Sequence, residues 1–178
     1  MNPNKFLIIM TIALVIVMGR FVYMLPSVDN GQASPRISGT LLNGEAFDLK
    51  DLRGQYVLVD FWGSWCGPCL VEMPGIKALH EKYKDSKFKE ADGFVILNIA
   101  LEKKEASWKK AIDRLKLTWK YHLVDLTSSF KFVDAPIAME FGVKQVPSKF
   151  LLDRNGVIIS VNESVETLDK FLGKQILD

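Results

Sequence analysis

The sequence predicts an α/β protein in which a central mixed sheet is flanked by helices, with an extra N-terminal β-hairpin and a single N-terminal membrane segment. Two apolar, β-branched runs at residues 57–62 and 94–100 are separated by a helical stretch, and this order implies a right-handed crossover with parallel pairing. Two later runs, 149–153 and 157–161, flank the hairpin signal Asn155-Gly156 and imply antiparallel pairing. The combination of parallel and antiparallel pairs makes the predicted sheet mixed.

The length and charge of the chain limit the classes of protein to consider. Its 178 residues suit one globular domain with a short extension. We therefore divide it into an N-terminal membrane or signal segment at 1–25, a linker at 26–35 and one domain at 36–178. The formal net charge is +2, and the basic and acidic residues are interspersed, without the basic block that follows a phosphate backbone. Nucleic acid is therefore not an expected partner.

An unbroken apolar run fills residues 6–18, after Lys5 and before Arg20. No small-x-small cleavage site and no cysteine for lipid attachment follow it, so we favour an uncleaved anchor over a cleaved signal peptide. If Arg20 extends its charge to the membrane surface, residues 6–25 span about 30 Å at ~1.5 Å per residue. The weak positive charge before the run leaves the amino end inside. This predicts a single-pass protein of the inner (cytoplasmic) membrane with its domain on the periplasmic or extracytoplasmic side.

The segments that follow are interpreted in chain order. Residues 26–35 are polar and show no period, which predicts a tether, with a packed extension as the alternative. Two short alternating runs within 37–52 surround Asn43-Gly44 and predict a tight hairpin with positive φ. Beyond the central strand, the other predicted elements are helices to about residue 83 and at 105–117, 136–141 and 165–176, with a short strand at 121–124.

Two cysteines lie at the predicted start of the helix that follows the central strand. Gly63-Ser64 break the strand, Cys66 begins the helix, and Pro68 is tolerated in a first turn, where its missing N–H would have no partner. Unpaired N–H groups and the helix dipole stabilise a thiolate at this end, so the pKa of Cys66 should fall below that of a free cysteine. Cys69 lies one turn deeper on the same face, where it can attack a sulfur already joined to Cys66.

Two other roles for the cysteine pair fit the sequence less well. Zinc needs four ligands, and beyond the two thiols the chain has only His80 and His122, neither at a metal-ligand spacing from a partner. A purely structural disulfide in so small a ring removes little entropy from the unfolded chain. We therefore predict a redox-active dithiol that requires no metal and no other cofactor.

The stretch Trp65-Cys66-Gly67-Pro68-Cys69 follows Val59-Asp60-Phe61-Trp62 and precedes Pro74. It resembles the active-site stretch of thioredoxins, and residues 35–175 resemble the TlpA and ResA type of membrane-tethered, thioredoxin-like thiol:disulfide oxidoreductases. The resemblance implies an elaborated thioredoxin fold, in which the hairpin before the central strand is typical of the TlpA-like family. It also implies a redox disulfide between Cys66 and Cys69, with Trp65, Gly67 and Pro68 contacting the substrate.

Asp60 is a carboxylate inside a buried apolar strand, which is unfavourable unless the group is neutral or paired. It matches the buried aspartate of thioredoxins, which implies that it serves Cys69 as an acid and base through water. Burial should raise its pKa toward neutrality. The lysine that thioredoxins place near this carboxylate falls at Ile96. Two alternatives follow: Asp60 is perturbed differently from the thioredoxin carboxylate, or Lys103 or Lys104 substitutes for the missing lysine.

Val146-Pro147 comes just before a strand-like run, where proline is confined to the start or the edge of a strand. It matches the cis-proline of the thioredoxin family. The resemblance therefore implies a cis bond that sets the Val146 backbone beside Cys66, where an extended substrate can pair as an added strand.

The remaining candidates lie around the dithiol or in the core. Glu102 follows the second buried strand, close to where some reductases of this family acting on cytochrome c precursors carry a glutamate, and it is an accessory candidate. A solvated acid is nevertheless the favoured interpretation of Glu102. Trp65 is expected to shield the dithiol. His80 and His122 are expected to lie at the surface. The side chains expected in the core are Trp62, Trp108, Trp119 and Met139.

The predicted reaction is reduction of disulfides in exported proteins, with apocytochrome c as a candidate, by dithiol–disulfide exchange. Gly-Pro between the cysteines resembles thioredoxin, whose potential of about −270 mV is reducing. A reductase in an oxidising compartment must be recharged, which implies a membrane electron carrier as a second partner. The alternatives are a dithiol oxidase or isomerase on the same scaffold, and a non-enzymatic module that binds extended polypeptides.

Overall fold

The computed structural model of the chain describes residues 3–24, 28–129 and 134–177. Three parts of the predictions lie outside the described residues: the ends of the membrane segment at 1–2 and 25, the start of the linker at 26–27, and part of a loop at 130–133.

The central sheet, within the described residues, has five strands in the order β5-β4-β3-β6-β7. Strand β4 pairs in parallel with β3 and β5, whereas β6 pairs antiparallel with β3 and β7. The predicted mixed sheet and C-terminal hairpin are therefore confirmed, and β3 lies in the middle with a neighbour on each side. The strands are β3 (Gln55–Trp62), β4 (Gly93–Glu102), β5 (Tyr121–Leu126), β6 (Ser148–Leu152) and β7 (Ile158–Val161).

The helices sort to opposite faces of this sheet because side chains alternate along β3. Leu58 and Trp62 point to one face and share an apolar cluster with residues of α2, α3 and α5. Val59 and Phe61 point to the other face and share a cluster with α4 and the N-terminal hairpin. Asp60 therefore faces the layer that carries the cysteines. The helices are α1 (Pro3–Met24), α2 (Gly67–Tyr83), α3 (Glu105–Leu115), α4 (Pro136–Glu140) and α5 (Val165–Gln175).

The ends of two helices are set by residues in the left-handed conformation. Helix α3 stops two residues before the predicted position because Lys116 takes a φ of 54° and its N–H bonds back to the last turn. Gly142, two residues after the end of α4, takes a φ of 64°, a value that glycine adopts without the steric penalty of a Cβ atom.

The predicted hairpin forms as β1 (Ser38–Thr40) and β2 (Ala46–Asp48), an antiparallel pair separate from the central sheet. Its connection is a tight turn with a positive φ, as predicted. The Gly44 N–H bonds to the Leu41 carbonyl and the Leu41 N–H to the Glu45 carbonyl, both at 2.9 Å, and Gly44 takes a φ of 87°. Phe47 is buried against the outer face of the sheet and contacts the ring of Tyr121 at 5.7 Å between centroids.

The tether prediction is wrong for the described part of residues 26–35. Backbone hydrogen bonds join Gly31 to the Ile158 carbonyl, Ile158 to the Gln32 carbonyl and Ser34 to the Gly156 carbonyl, all at 2.8–2.9 Å. Val28 is also buried. The segment covers the edge of β7 because an uncovered edge strand leaves its backbone groups unpaired, a contact that the polar composition of the segment did not reveal.

The burial of three side chains differs from the prediction: two histidines expected at the surface are enclosed, and a methionine expected in the core is exposed. Trp62, Trp108 and Trp119 are buried as expected. His122 is 1% exposed and stacks on Trp119, and burial lowers its pKa to about 4. His80 is half-buried against the same indole. Met139 is 56% exposed. The two histidines are enclosed because β5 and α2 pack against the loop carrying Trp119, which no local pattern predicts.

Helix α1 carries the apolar run of residues 6–18, whose large side chains are exposed. Among the described residues, no helix combines the length and the apolarity needed to cross a membrane. The membrane segment at 1–25 stays a prediction.

Candidate active site

The two cysteines form a disulfide at the N-terminus of α2. Cys66 is the cap residue of the helix, and its Sγ accepts a hydrogen bond from the Cys69 N–H at 3.2 Å. Pro68 occupies the first turn, as predicted. The structure thus places one sulfur at the positive end of the helix, where a thiolate is stabilised after reduction.

The disulfide is covered rather than open to solvent, since Cys66 is 3% exposed and Cys69 2%. Around it, Gly67 and Pro68 are exposed and Trp65 is 51% exposed. The indole of Trp65 is held by a 2.8 Å hydrogen bond from its Nε1 to the Leu101 carbonyl. A Cβ atom at Gly63 would lie 2.7 Å from that Nε1, so the close approach of the ring depends on glycine. This position is consistent with the predicted shielding role of Trp65.

The peptide bond between Val146 and Pro147 is cis, as predicted. The Val146 carbonyl oxygen lies 3.7 Å from Sγ of Cys66, and both Val146 and Pro147 are half-buried. A hydrogen bond of 2.9 Å from the Ser148 hydroxyl to the Gln145 carbonyl closes this turn. The backbone next to the disulfide therefore presents an acceptor to which an extended chain can pair.

Asp60 is 2% exposed in the middle of β3. Its Oδ2 accepts a 2.6 Å hydrogen bond from Nδ2 of Asn98 on the neighbouring strand. Burial raises the pKa of Asp60 to about 7, against the opposing charge of Lys149. The predicted rise toward neutrality is confirmed, and a carboxyl group with this pKa can both take and return a proton near neutral pH.

The lysine beside Asp60 was not identified from the sequence. Lys149 is the register partner of Asp60 on β6, and its Nζ donates to Glu72 of α2. The expectation that Lys103 or Lys104 supplies this charge is wrong, because both follow the end of β4 while Lys149 lies opposite the carboxylate. A lysine inside the apolar run of β6 was the available signal, since a buried charge requires a partner.

Glu102 is 2% exposed at the end of β4, so its interpretation as a solvated acid is wrong. Its Oε1 accepts a 2.5 Å hydrogen bond from the Ser64 N–H, directly before Trp65. It also lines a cavity of about 280 Å³ beside Trp65, with Lys103 and Lys104 among the other lining residues. Glu102 thus supports the loop that delivers the disulfide. Within residues 3–24, 28–129 and 134–177, no cluster of histidine, cysteine and acidic residues could hold a metal ion.

The amino-acid sequence is similar to those of known thioredoxin-like proteins. A family model described as Redoxin matches residues 29–172. The chain is 32% identical over 151 residues to thioredoxin-like protein YneN of Bacillus subtilis (strain 168), covering 85% of this chain and 80% of that protein. It is 29% identical over 147 residues to thiol-disulfide oxidoreductase ResA of Bacillus thuringiensis (strain Al Hakam), covering 81% and 77% respectively.

A solved structure extends the similarity to three dimensions. The crystal structure of the thioredoxin domain of a thiol-disulfide oxidoreductase from Bacteroides vulgatus aligns with a TM-score of 0.68 and 30% identity, covering 82% of this chain and 99% of that domain. Together with the capped cysteine pair and the cis-proline, these similarities show that the chain belongs to the Redoxin family and, within it, to the thioredoxin-like TlpA and ResA type of thiol–disulfide oxidoreductases.

Proposed function

We propose that this protein reduces disulfides in exported proteins by dithiol–disulfide exchange through Cys66 and Cys69. The observation that carries the proposal is the position of Cys66: it caps α2, its sulfur lies 3.7 Å from the Val146 carbonyl, and exposed Trp65 adjoins it. A nucleophile and a backbone docking site therefore share one surface.

The reaction proceeds in two successive thiol–disulfide exchanges. The Cys66 thiolate attacks one sulfur of the substrate disulfide, forms a mixed disulfide and expels the other substrate sulfur as a thiolate. Asp60, ionised, accepts the Cys69 proton through water. The Cys69 thiolate then attacks Cys66, restores the internal disulfide and releases the second substrate thiolate. The protein loses two electrons and the substrate gains them.

The charge around the sulfurs supports the proposed direction of the reaction. A buried carboxylate on the Cys69 side of the sheet opposes formation of a second thiolate, which favours the disulfide over the dithiolate. A protein whose disulfide is favoured is a reductant. Gly67-Pro68 between the cysteines, which resembles thioredoxin, supports the same direction.

The substrate docks as an extended segment whose N–H bonds to the Val146 carbonyl. We include the Cys-x-x-Cys-His segment of apocytochrome c among the proposed substrates, because oxidation of its two cysteines gives a peptide disulfide that this reaction can reduce. A membrane electron carrier re-reduces the dithiol, since the reductase loses two electrons in each cycle.

The reduction potential tests the proposal. The chain from residue 28 onward, which keeps the segment packed on β7, is equilibrated against glutathione or dithiothreitol buffers. We expect a potential below about −220 mV, near the reducing end of the thioredoxin-like range. A potential above about −150 mV would assign the protein to the oxidases or isomerases instead.

We further propose that α1 anchors the protein in the inner membrane, with the domain on the extracytoplasmic side. The exposed apolar run of residues 6–18 supports this, since an apolar helix face left in water is unfavourable. The full chain expressed in bacteria is expected in the alkali-resistant membrane fraction and accessible to protease from outside the inner membrane. A chain that lacks residues 1–25 is the control. Recovery of the full chain in a soluble fraction would refute the anchor.

A further inference from the structure

A group of four polar side chains lies between β3 and α2 in an otherwise apolar layer. Its members are Asp60, Asn98, Lys149 and Glu72. Asp60 pairs in register with Asn98 of β4 on one side and with Lys149 of β6 on the other. Directly opposite residues of paired strands point to the same face with Cβ atoms about 5 Å apart. Glu72 reaches this group from α2, three residues after Cys69. The group therefore connects the buried carboxylate to the helix that carries the disulfide.

Lys149 interacts with two carboxylates in different ways. Its ammonium donates hydrogen bonds to both oxygens of Glu72, at 2.7 and 2.8 Å, whereas it acts on Asp60 through its charge. The side chain of Lys149 is 7% exposed and that of Glu72 is 24% exposed. A cation this deeply buried requires a close anionic partner. Glu72 is that partner, although Asp60 lies directly across from Lys149.

We propose that Glu72 holds the Lys149 ammonium away from a direct ion pair with Asp60, and that this arrangement positions the proton that Asp60 exchanges with Cys69. The inference rests on the proposed function, in which Asp60 is the acceptor of that proton. Glu72 and Lys149 are positioning residues because they act through Asp60. A direct ion pair would keep Asp60 ionised and weaken it as a base, whereas loss of the ammonium would keep it protonated.

The charges facing Asp60 act in opposite directions. Lys149 of β6 lowers its pKa and Glu72 of α2 raises it, while β4 contributes the uncharged Asn98. Reduction of the disulfide adds the Cys69 thiol of α2 as a titrating neighbour. Since Asp60 and Cys69 then titrate together, the measured midpoint belongs to the pair. Removal of the Glu72 charge must lower this midpoint, and removal of the Lys149 charge must raise it.

The test measures the attack of Cys69 on a mixed disulfide as a function of pH. Reduced protein is mixed with dithiobis(nitrobenzoate). The Cys66 thiolate attacks this disulfide, expels one nitrobenzoate thiolate and retains the other in a mixed disulfide, and release of the retained thiolate reports the attack of Cys69 on Cys66. We expect Glu72→Gln to shift the midpoint of this second step down by about 1 pH unit and Lys149→Met to shift it up by about 1 unit. Opposite shifts from the two halves of one ion pair distinguish positioning from a structural role, which would move both variants alike.

Two kinds of control show whether the shifts require the buried ion pair and Asp60. Glu166→Gln and Lys170→Met break an exposed ion pair on α5 and are expected to leave the midpoint unchanged. In the Asp60→Asn background, neither Glu72→Gln nor Lys149→Met should shift it. Glu72 is partly exposed, so Glu72→Gln tests the inference even if Lys149→Met does not fold. An unchanged or raised midpoint in Glu72→Gln overturns the inference. The assay uses no natural substrate, so it remains valid if the proposed direction of the reaction is wrong.

Discussion

Replacement of Cys66 by serine is expected to abolish disulfide reduction, with a loss of at least about 10³-fold, because a neutral hydroxyl cannot replace a thiolate as the attacking group. The structure places this sulfur at the cap of α2, next to the Val146 carbonyl. The measurement is the rate at which the reduced protein cleaves a disulfide-linked peptide. Retained cleavage of the peptide in Cys66→Ser would show that Cys66 is not the attacking group and would refute the proposed reaction.

Replacement of Cys69 by serine is the matched control at the same site. It leaves the first exchange intact and removes the second, so the mixed disulfide between Cys66 and the peptide should accumulate. Mass spectrometry of the intact protein detects this adduct. If the adduct accumulated in Cys66→Ser and not in Cys69→Ser, the roles of the two cysteines would be reversed.

Replacement of Asp60 by asparagine is expected to raise the free energy of unfolding of the oxidised protein by up to about 4 kcal/mol at pH 8. The ordinary pKa of an aspartate carboxyl group is 3.8, and burial raises the pKa of Asp60 to about 7 in the folded state. Between these values the folded protein retains a proton that the unfolded chain has released, so stability falls as the pH rises through this window. Asparagine cannot ionise, and it preserves an acceptor for Asn98.

Urea unfolding at pH 8 and pH 4 tests this expectation. The difference between the two proteins should be large at pH 8 and small at pH 4, where the folded protein keeps Asp60 protonated and the unfolded chain, near its pKa of 3.8, has released only part of this proton. Asp113→Asn, an exposed position on α3, is the control and should change neither value. Equal stabilities at pH 8 would show that the folded protein compensates the carboxylate fully. The same Asp60→Asn variant should slow the attack by Cys69 about 10²-fold, because the proton loses its acceptor.

The elements that were predicted from the sequence are those with strong local patterns. The apolar run of β3 and the cysteine that caps α2 were located to within two residues, because strand burial and helix capping depend on adjacent residues. The cis bond before Pro147 was predicted only through the resemblance to thioredoxins. Base rates for isolated proline favour the trans form.

The order of strands and helices along the chain, the position of the cysteine pair and the burial of Asp60 could all be predicted from the sequence, because each depends on neighbouring residues. The fold was needed to show that Lys149 and Glu72 face Asp60, that Glu102 and His122 are enclosed, and that residues 28–34 pack on β7. These features could not be predicted because they depend on which strands pair and in which register. A change of register by one residue would turn Lys149 to the opposite face of the sheet.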